Sequence, residues 1–189
     1  MAAARLSRPA VVAAVAACEH DEAALRALLD AVKDPELPVI SIEELGVLRG
    51  VAVDGDEVVV TITPTYSGCP AMATIEADIH AVLAAAGVRR LRVETVLSPA
   101  WTTDWMGDAA REKLRAYGIA PPQGLAEQGE AEQGQAQGCA LFASEPPAVP
   151  CPRCRSADTR RLSEFGSTAC KAQYQCRACL EPFDYFKCI

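Results

Sequence analysis

The sequence predicts an α+β domain followed by a small cysteine-rich ribbon at the carboxyl end. Between residues 21 and 120, amphipathic helix patterns alternate with runs of β-branched residues. Two Cys-x-x-Cys motifs then follow within residues 150–189. We therefore divide the chain into an N-terminal extension (1–20), an α+β domain (21–120), a linker (121–149) and a terminal domain (150–189).

The first half of the α+β domain predicts a helix and then a β-hairpin. Asp21 is a candidate N-cap, and the apolar residues that follow recur at helical spacing as far as Val32. Residues 34–46 are polar and contain prolines, so we expect a loop there. Residues 47–53 and 57–63 are rich in β-branched residues, and the Asp-Gly step between them is typical of a tight antiparallel turn.

The second half predicts two more helices and a third strand. Apolar residues recur at helical spacing from Met72 to Ala86, and Gly87 follows them. Residues 91–97 read as a strand. A third helix is expected to start at Asp104 or Asp108 and to end near Gly118.

The two remaining segments predict no packed structure. Residues 121–149 are mostly Gln, Gly, Glu, Ala and Pro, which cannot bury enough apolar surface to fold, so a flexible linker is expected. Residues 1–20 are rich in alanine and read as a flexible extension. The alternative is a signal peptide processed near Cys18, but alanine is only weakly apolar and export suits a thiolate metal site poorly.

Composition restricts the class of protein. The net charge of −7 and the pI of about 4.9 argue against a nucleic-acid binder, which needs an excess of Lys and Arg to neutralise phosphates. No apolar run has the length of a membrane span. Nine cysteines, an odd number with metal-binding spacing, favour reduced thiols in the cytoplasm over a disulfide framework. Common hydrolase, nucleotide-binding and di-iron motifs are absent, so we expect no independent active site.

The tail predicts a zinc ribbon. Strand patterns at 159–165, 171–175 and 183–187 accompany the two Cys-x-x-Cys motifs. Four thiolates closing around one ion is the arrangement that structural zinc prefers, and so short a segment needs the metal in order to fold. An iron–sulfur cluster and a redox-active cysteine pair remain as alternatives. The predicted ligands are Cys151, Cys154, Cys176 and Cys179.

A fifth cysteine, Cys69, is a candidate ligand in the α+β domain. Pro70 suits the first turn of a helix, which places Cys69 near the N-cap, where the helix dipole should stabilise a thiolate and lower its pKa. The alternative is a small buried cysteine beneath the helix. Asp34 and Glu36 could add carboxylates to this site, although such residues more often cap turns.

Four other residues have two interpretations each. Cys170 and Cys188 are either spectator thiols or a second metal-handling pair. Trp101 and Trp105 either fix a loop onto the core or form a partner-binding surface.

Several motifs resemble the PaaD family of bacterial phenylacetate degradation, and the N-terminal part also resembles the SufT-type iron–sulfur assembly domain. The matching stretches are residues 34–36, 42–46, 63–70, 98–105, 163–172 and 181–189. One feature departs from the usual ribbon: Arg155 and Leu180 follow the cysteine motifs where glycine is often found.

The resemblance implies an accessory or maturation factor for the iron–sulfur or di-iron centres of the phenylacetyl-CoA epoxidase complex. It implies oxygenase and reductase subunits and iron–sulfur scaffold proteins as partners, with Cys69 as a transient cluster ligand beside structural zinc. A structural subunit of the epoxidase complex, or a Cys-x-x-Cys thiol oxidoreductase, is the alternative function. Neither nucleic acid nor a membrane is expected as a partner.

Overall fold

The structure is a computed structural model that describes residues 21–123 and 149–187. The predicted N-terminal extension, most of the predicted linker and Cys188 lie outside the described residues. The N-terminal elements are α1 Glu22–Leu29, β1 Lys33–Asp34, β2 Leu37–Ser41, β3 Leu48–Asp54, β4 Glu57–Ile62, α2 Met72–Ala85, β5 Leu91–Thr95, a 3-10 turn Thr103–Trp105 and α3 Asp108–Tyr117. The remaining strands are β6 Ile119–Ala120, β7 Thr159–Ser163, β8 Lys171–Cys176 and β9 Pro182–Phe186.

The predicted α+β fold is confirmed, and its centre is the sheet β3-β4-β5. Strands β3 and β4 pair antiparallel around Gly55, whose φ of 62° is the left-handed conformation that a tight turn requires. Helix α2 then crosses over so that β5 runs parallel to β4. Helix α1 packs on α2 and β3, burying Leu25 and Leu29.

The prediction of a loop over residues 34–46 was wrong, because β1 and β2 form a short antiparallel hairpin there. Asp34 makes the turn: its Oδ1 accepts the N–H groups of Glu36 at 2.8 Å and of Leu37 at 2.9 Å. Leu37 and Ile40 are buried, but the surrounding prolines and acidic residues hid this strand pattern.

The third helix was predicted to start at Asp104 or Asp108, and it starts at Asp108. Asp104 instead lies in the 3-10 turn, where Thr102 Oγ1 accepts its N–H group at 3.0 Å. Helix α3 ends at Tyr117, and its C-cap is Gly118, whose φ is 100°. Over the described ranges, none of the helices combines the length and the apolar character that crossing a membrane requires.

The three tail strands are confirmed, but their sheet also includes a strand that the sequence did not predict. The order is β6-β9-β8-β7, and β6 pairs parallel with β9 immediately after α3. Phe186 at the end of β9 is 1 % exposed and belongs to the core of the α+β domain, as does Cys170 just before β8. The tail therefore packs directly against the N-terminal part.

Trp101 is one of the residues at this junction. Its indole is 4 % exposed, and its Nε1–H donates to the carbonyl of Leu45 at 2.9 Å. The ring of Phe186 packs edge-on against it, with 6.1 Å between the centroids. Trp101 thus fixes its loop onto the core, whereas Trp105 is half-buried beneath the guanidinium of Arg49.

Candidate functional sites

The four tail cysteines converge at one point. All four Sγ atoms lie within 4.8 Å of one another. Cys151 and Cys179 are 3.7 Å apart, and Cys154 and Cys176 are 3.5 Å apart, measured between sulfurs. A metal bound at about 2.3 Å in a regular tetrahedron would place neighbouring sulfurs about 3.8 Å apart. The geometry and the donor set therefore fit a closed tetrahedral thiolate metal site.

Two tight turns hold these sulfurs, and both use a left-handed residue that is not glycine. Arg155 has a φ of 63° and Leu180 a φ of 64°. Backbone hydrogen bonds close the turns: Arg155 N–H donates to the Cys151 carbonyl, and Cys176 N–H donates to the Glu181 carbonyl, each at 2.9 Å. The backbone thus takes the conformation typical of ribbon turns even though larger residues occupy the positions where glycine is usual.

The turns also direct backbone N–H groups at sulfur. Cys179 N–H donates to Cys176 Sγ at 3.4 Å. This hydrogen bond is the largest influence on Cys176, and its pKa is lowered to about 7. Cys151 and Cys176 are buried, whereas Cys154 and Cys179 are exposed at the rim. A charged thiolate is thereby stabilised in the buried half of the cluster.

Cys69 lies in a separate region, ahead of helix α2. The helix begins at Met72 with Ala71 at the N-cap position, so Cys69 precedes the first turn instead of capping it. Its side chain is half-buried. This is intermediate between the two predictions, an accessible ligand at the start of the helix and a small cysteine buried beneath it. Burial raises the pKa of Cys69, and so do the carboxylates of Asp34 and Glu36, despite hydrogen bonds from Ala71 and Thr65. The predicted lowering of this pKa was therefore wrong.

Asp34 and Glu36, the two candidate carboxylates, act electrostatically on Cys69 and add to the rise in its pKa. Asp34 is 6 % exposed, and desolvation by this burial raises the pKa of its carboxyl. Since Asp34 caps the β1–β2 turn, it has the structural role that such residues most often have. Glu36 is half-buried and directs Oε2 toward Cys170, whose Sγ lies 3.9 Å away.

Cys170 comes from the tail yet joins this N-terminal region. It is 5 % exposed, and Thr168 Oγ1 lies 3.0 Å from its sulfur. Neither Thr168 nor the buried Lys171, which adjoins Cys170 and acts electrostatically on Asp34, was predicted from the sequence. The action of Lys171 on Asp34 depends on how the tail packs and has no local signal, whereas Thr168 is two residues from Cys170 and contacts it locally.

Comparison with known sequences and structures relates both parts of the chain to described proteins. Residues 137–187 match the profile of the PaaD zinc beta ribbon domain, and residues 22–97 match the profile named iron-sulfur cluster assembly protein. The solved structure of a domain of unknown function, DUF59, from Bacillus anthracis has 35 % sequence identity and a TM-score of 0.47. It covers 49 % of this chain and 90 % of that one.

Two curated relatives differ in how much of the chain they cover. A Porphyromonas gingivalis "Fe-S protein maturation auxiliary factor" is 35 % identical over 89 residues, which is 46 % of this chain and 84 % of that protein. An Escherichia coli protein, named as a putative subunit of 1,2-phenylacetyl-CoA epoxidase, is 49 % identical over 163 residues, covering 86 % of this chain and 90 % of that protein. With this identity over nearly the full length and a matching ribbon domain, the chain belongs to the PaaD family.

Proposed function

We propose that this protein is a non-catalytic maturation factor that helps to load iron or an iron–sulfur cluster into a phenylacetyl-CoA epoxidase system in the cytoplasm. The similarity to a putative epoxidase subunit and to an iron–sulfur maturation factor supports this assignment. The structural observation that carries it is Cys69, a half-buried free thiol with two carboxylates close by. The clients and partners are the oxygenase and reductase subunits, and iron–sulfur scaffold proteins supply the metal.

The tail site has a structural role in this proposal. Cys151, Cys154, Cys176 and Cys179 hold one zinc ion, which cross-links the ends of the tail strands and supplies folding free energy to a segment with a small core. Four thiolates complete the tetrahedron and leave no open position for substrate, so this site does not transfer metal.

The test of the maturation role is Cys69→Ser. The variant is co-expressed with the epoxidase components, and iron content and epoxidase activity of the purified clients are measured. We expect both to fall together, since the clients lack metal. Cys139→Ser is the matched control, because it removes a cysteine that the proposal does not use. Clients with full iron content in the presence of Cys69→Ser would overturn the proposal.

The second candidate is a structural subunit of the epoxidase complex. Exposed apolar residues on the tail favour it: Leu162, Phe165 and Leu180 are 51 %, 61 % and 69 % exposed. A structural subunit would co-purify stoichiometrically and would be required for turnover by clients that are already loaded with metal. Adding the protein to such preloaded clients separates the two functions, because a maturation factor would not change their activity.

A thiol oxidoreductase is the third alternative, and elemental analysis distinguishes it. Protein purified in air and protein purified without oxygen are both assayed for zinc and iron. A metal-free sample with disulfide reductase activity would favour the oxidoreductase. One zinc per chain in both samples would favour the structural zinc site.

A further inference from the structure

We propose that strand β5 is a dimerisation edge, at which a second copy of this chain pairs antiparallel and joins the two three-stranded sheets into one six-stranded sheet. Strand β5 is an outer strand of the sheet β3-β4-β5. Among the residues that the structure describes, β4 is the one strand that pairs with it. This interface does not depend on the maturation role proposed above.

The first step is which backbone groups of β5 face outward. Val58 N–H donates to the Arg90 carbonyl, and Val96 N–H donates to the Ile62 carbonyl, each at 2.9 Å. Since backbone groups alternate in direction along a strand, the even-numbered residues of β5 point their N–H and C=O groups toward β4. The residues whose groups point outward are Leu91, Val93 and Thr95. An unpaired row of this kind is a template for another strand.

The second step is the burial of the side chains at this edge. Leu91 and Val93 lie on the face of the sheet that the helices cover, in register with Val58 and Val60 of β4. Val58 and Val60 are 1 % and 0 % exposed, whereas Leu91 and Val93 are only half-buried. A further strand beside β5 would complete the burial of these two apolar side chains.

The third step is charge complementarity on the other face of the strand. Arg92 Nε lies 3.2 Å from a carboxylate oxygen of Glu57, and Arg92 also pairs with Glu94. A guanidinium has five N–H donors, so Arg92 can bind another carboxylate as well. When two copies of β5 run antiparallel about Val93, Arg92 of each copy faces Glu94 of the other. These are non-hydrogen-bonded positions, about 4.5 Å apart between Cα atoms, where facing side chains are closest.

The fourth step is that the charges allow one register. If the twofold axis moved by one residue, Arg92 would face Arg92 of the second copy, or Glu94 would face Glu94, and like charges directly opposite each other are destabilising. With the axis at Val93, the outward N–H and C=O groups of both copies are all paired. The edge is therefore complementary to a second copy of itself.

Two other sheet edges fit a second copy less well. The outer edge of β3 is partly covered, since Val53 N–H donates to Glu22 of helix α1 at 3.4 Å. Strand β7 is the outer strand of the tail sheet, but Arg160 and Arg161 are its charged residues and no carboxylate accompanies them within the strand. Two antiparallel copies of β7 would bring positive charges together.

Antiparallel pairing keeps the two Cys69 side chains apart. Residues 63–69 follow the carboxyl end of β4, and β5 runs parallel to β4. The carboxyl ends of the two β5 strands point in opposite directions, so each copy carries its own Cys69 region at its own end of the dimer. Loss of the dimer and loss of the maturation role are thus separate outcomes.

The test is the mass of the full-length, zinc-loaded protein in solution, measured by sedimentation equilibrium over a range of concentrations. For the wild type we expect twice the chain mass of 20.0 kDa at the upper end of the range. Arg92→Glu and Glu94→Arg each make both facing pairs repulsive, so each should raise the Kd of the dimer about tenfold or more. An equimolar mixture of these two variants should form a heterodimer, in which every facing pair is attractive again.

Two further variants complete the test. Arg160→Glu is the matched control, because it reverses the same charge on the outer strand of the tail sheet, and it should dimerise like the wild type. If a single variant fails to fold, the double variant Arg92→Glu/Glu94→Arg replaces it, since its charges are self-complementary and it should also dimerise. A wild type that is monomeric at every concentration would overturn the interface. So would a dimer that Arg92→Glu leaves intact, or single variants that do not associate when mixed.

Discussion

Single residues hold the turn that follows strand β2. Glu44 N–H donates to Ser41 Oγ, and Ser41 N–H donates in return to Glu44 Oε2, each at 3.1 Å, as in a capping box. Lys113 pairs with the other oxygen of Glu44. Burial alone would raise the pKa of Glu44, but the hydrogen bonds from Lys113 and Ser41 outweigh it, so the pKa is lowered.

Glu44→Gln should therefore lower the free energy of unfolding by up to about 1 kcal/mol at pH 7, because Gln can still accept the Ser41 N–H but cannot form the partly exposed ion pair with Lys113. Since the folded pKa lies below the unfolded value near 4.3, the stabilisation is complete above that value and is lost as the pH falls through the folded pKa. Urea unfolding of both proteins from pH 7 to pH 3 measures this difference.

The control for this prediction is Glu76→Gln, an exposed position on helix α2. It should unfold like the wild type at every pH, and zinc loss in acid affects all three proteins alike. If Glu44→Gln were less stable than the wild type by the same free energy at pH 7 and at pH 3, the charge of Glu44 would not stabilise the fold.

At the scale of elements, the two cysteine turns adopt a backbone that their sequence does not favour. Leu180 is 69 % exposed and has a φ of 64°, so its side chain gains little from packing while its backbone is strained. A left-handed conformation costs a residue with a Cβ about 1–2 kcal/mol. Closure of the turn around the cysteines must supply this energy.

Leu180→Gly should raise the free energy of unfolding of the zinc-loaded protein by up to about 1 kcal/mol, since the relief of strain exceeds the added entropy of the unfolded chain. Thermal unfolding at a fixed excess of zinc measures it. Ala178→Gly, in the same turn but without a positive φ, should instead destabilise the protein by about 0.5–1 kcal/mol. If Leu180→Gly were no more stable than Ala178→Gly, the strain argument would be wrong.

At the scale of the whole molecule, the tail and the α+β domain share one core. Phe186 is fully buried against Trp101, and strand β9 pairs with β6 beside it. This packing holds Cys170 next to Glu36, with 3.9 Å between Cys170 Sγ and Glu36 Oε2.

Phe186→Ala should lower the free energy of unfolding by about 3–5 kcal/mol, the usual cost of removing a buried aromatic ring. Guanidinium unfolding followed by tryptophan fluorescence is the measurement, because Trp101 reports directly on this contact. Phe165→Ala is the matched control: its ring is 61 % exposed, so the loss should stay below about 1 kcal/mol. Equal effects of the two variants would contradict a shared core.

The sequence by itself determined the elements whose signals are local. The Asp-Gly turn at Gly55 predicted the β3–β4 hairpin, and helical spacing around Ile75 and Ile79 predicted α2. The two Cys-x-x-Cys motifs predicted the four cysteines whose sulfurs converge in the tail. In each case the signal extends over a few residues, because turn chemistry and side-chain periodicity are properties of neighbours along the chain.

Only the tertiary structure decided the surroundings of Cys69 and Cys170. The pKa of Cys69 is raised chiefly by burial and further by the carboxylates of the β1–β2 turn, which its place ahead of a helix does not indicate. Glu36 and Cys170 are 134 residues apart in the chain, and no periodicity extends across that distance. Their contact depends on β6 joining the tail sheet and on Phe186 entering the core of the α+β domain, which are matters of packing between distant segments.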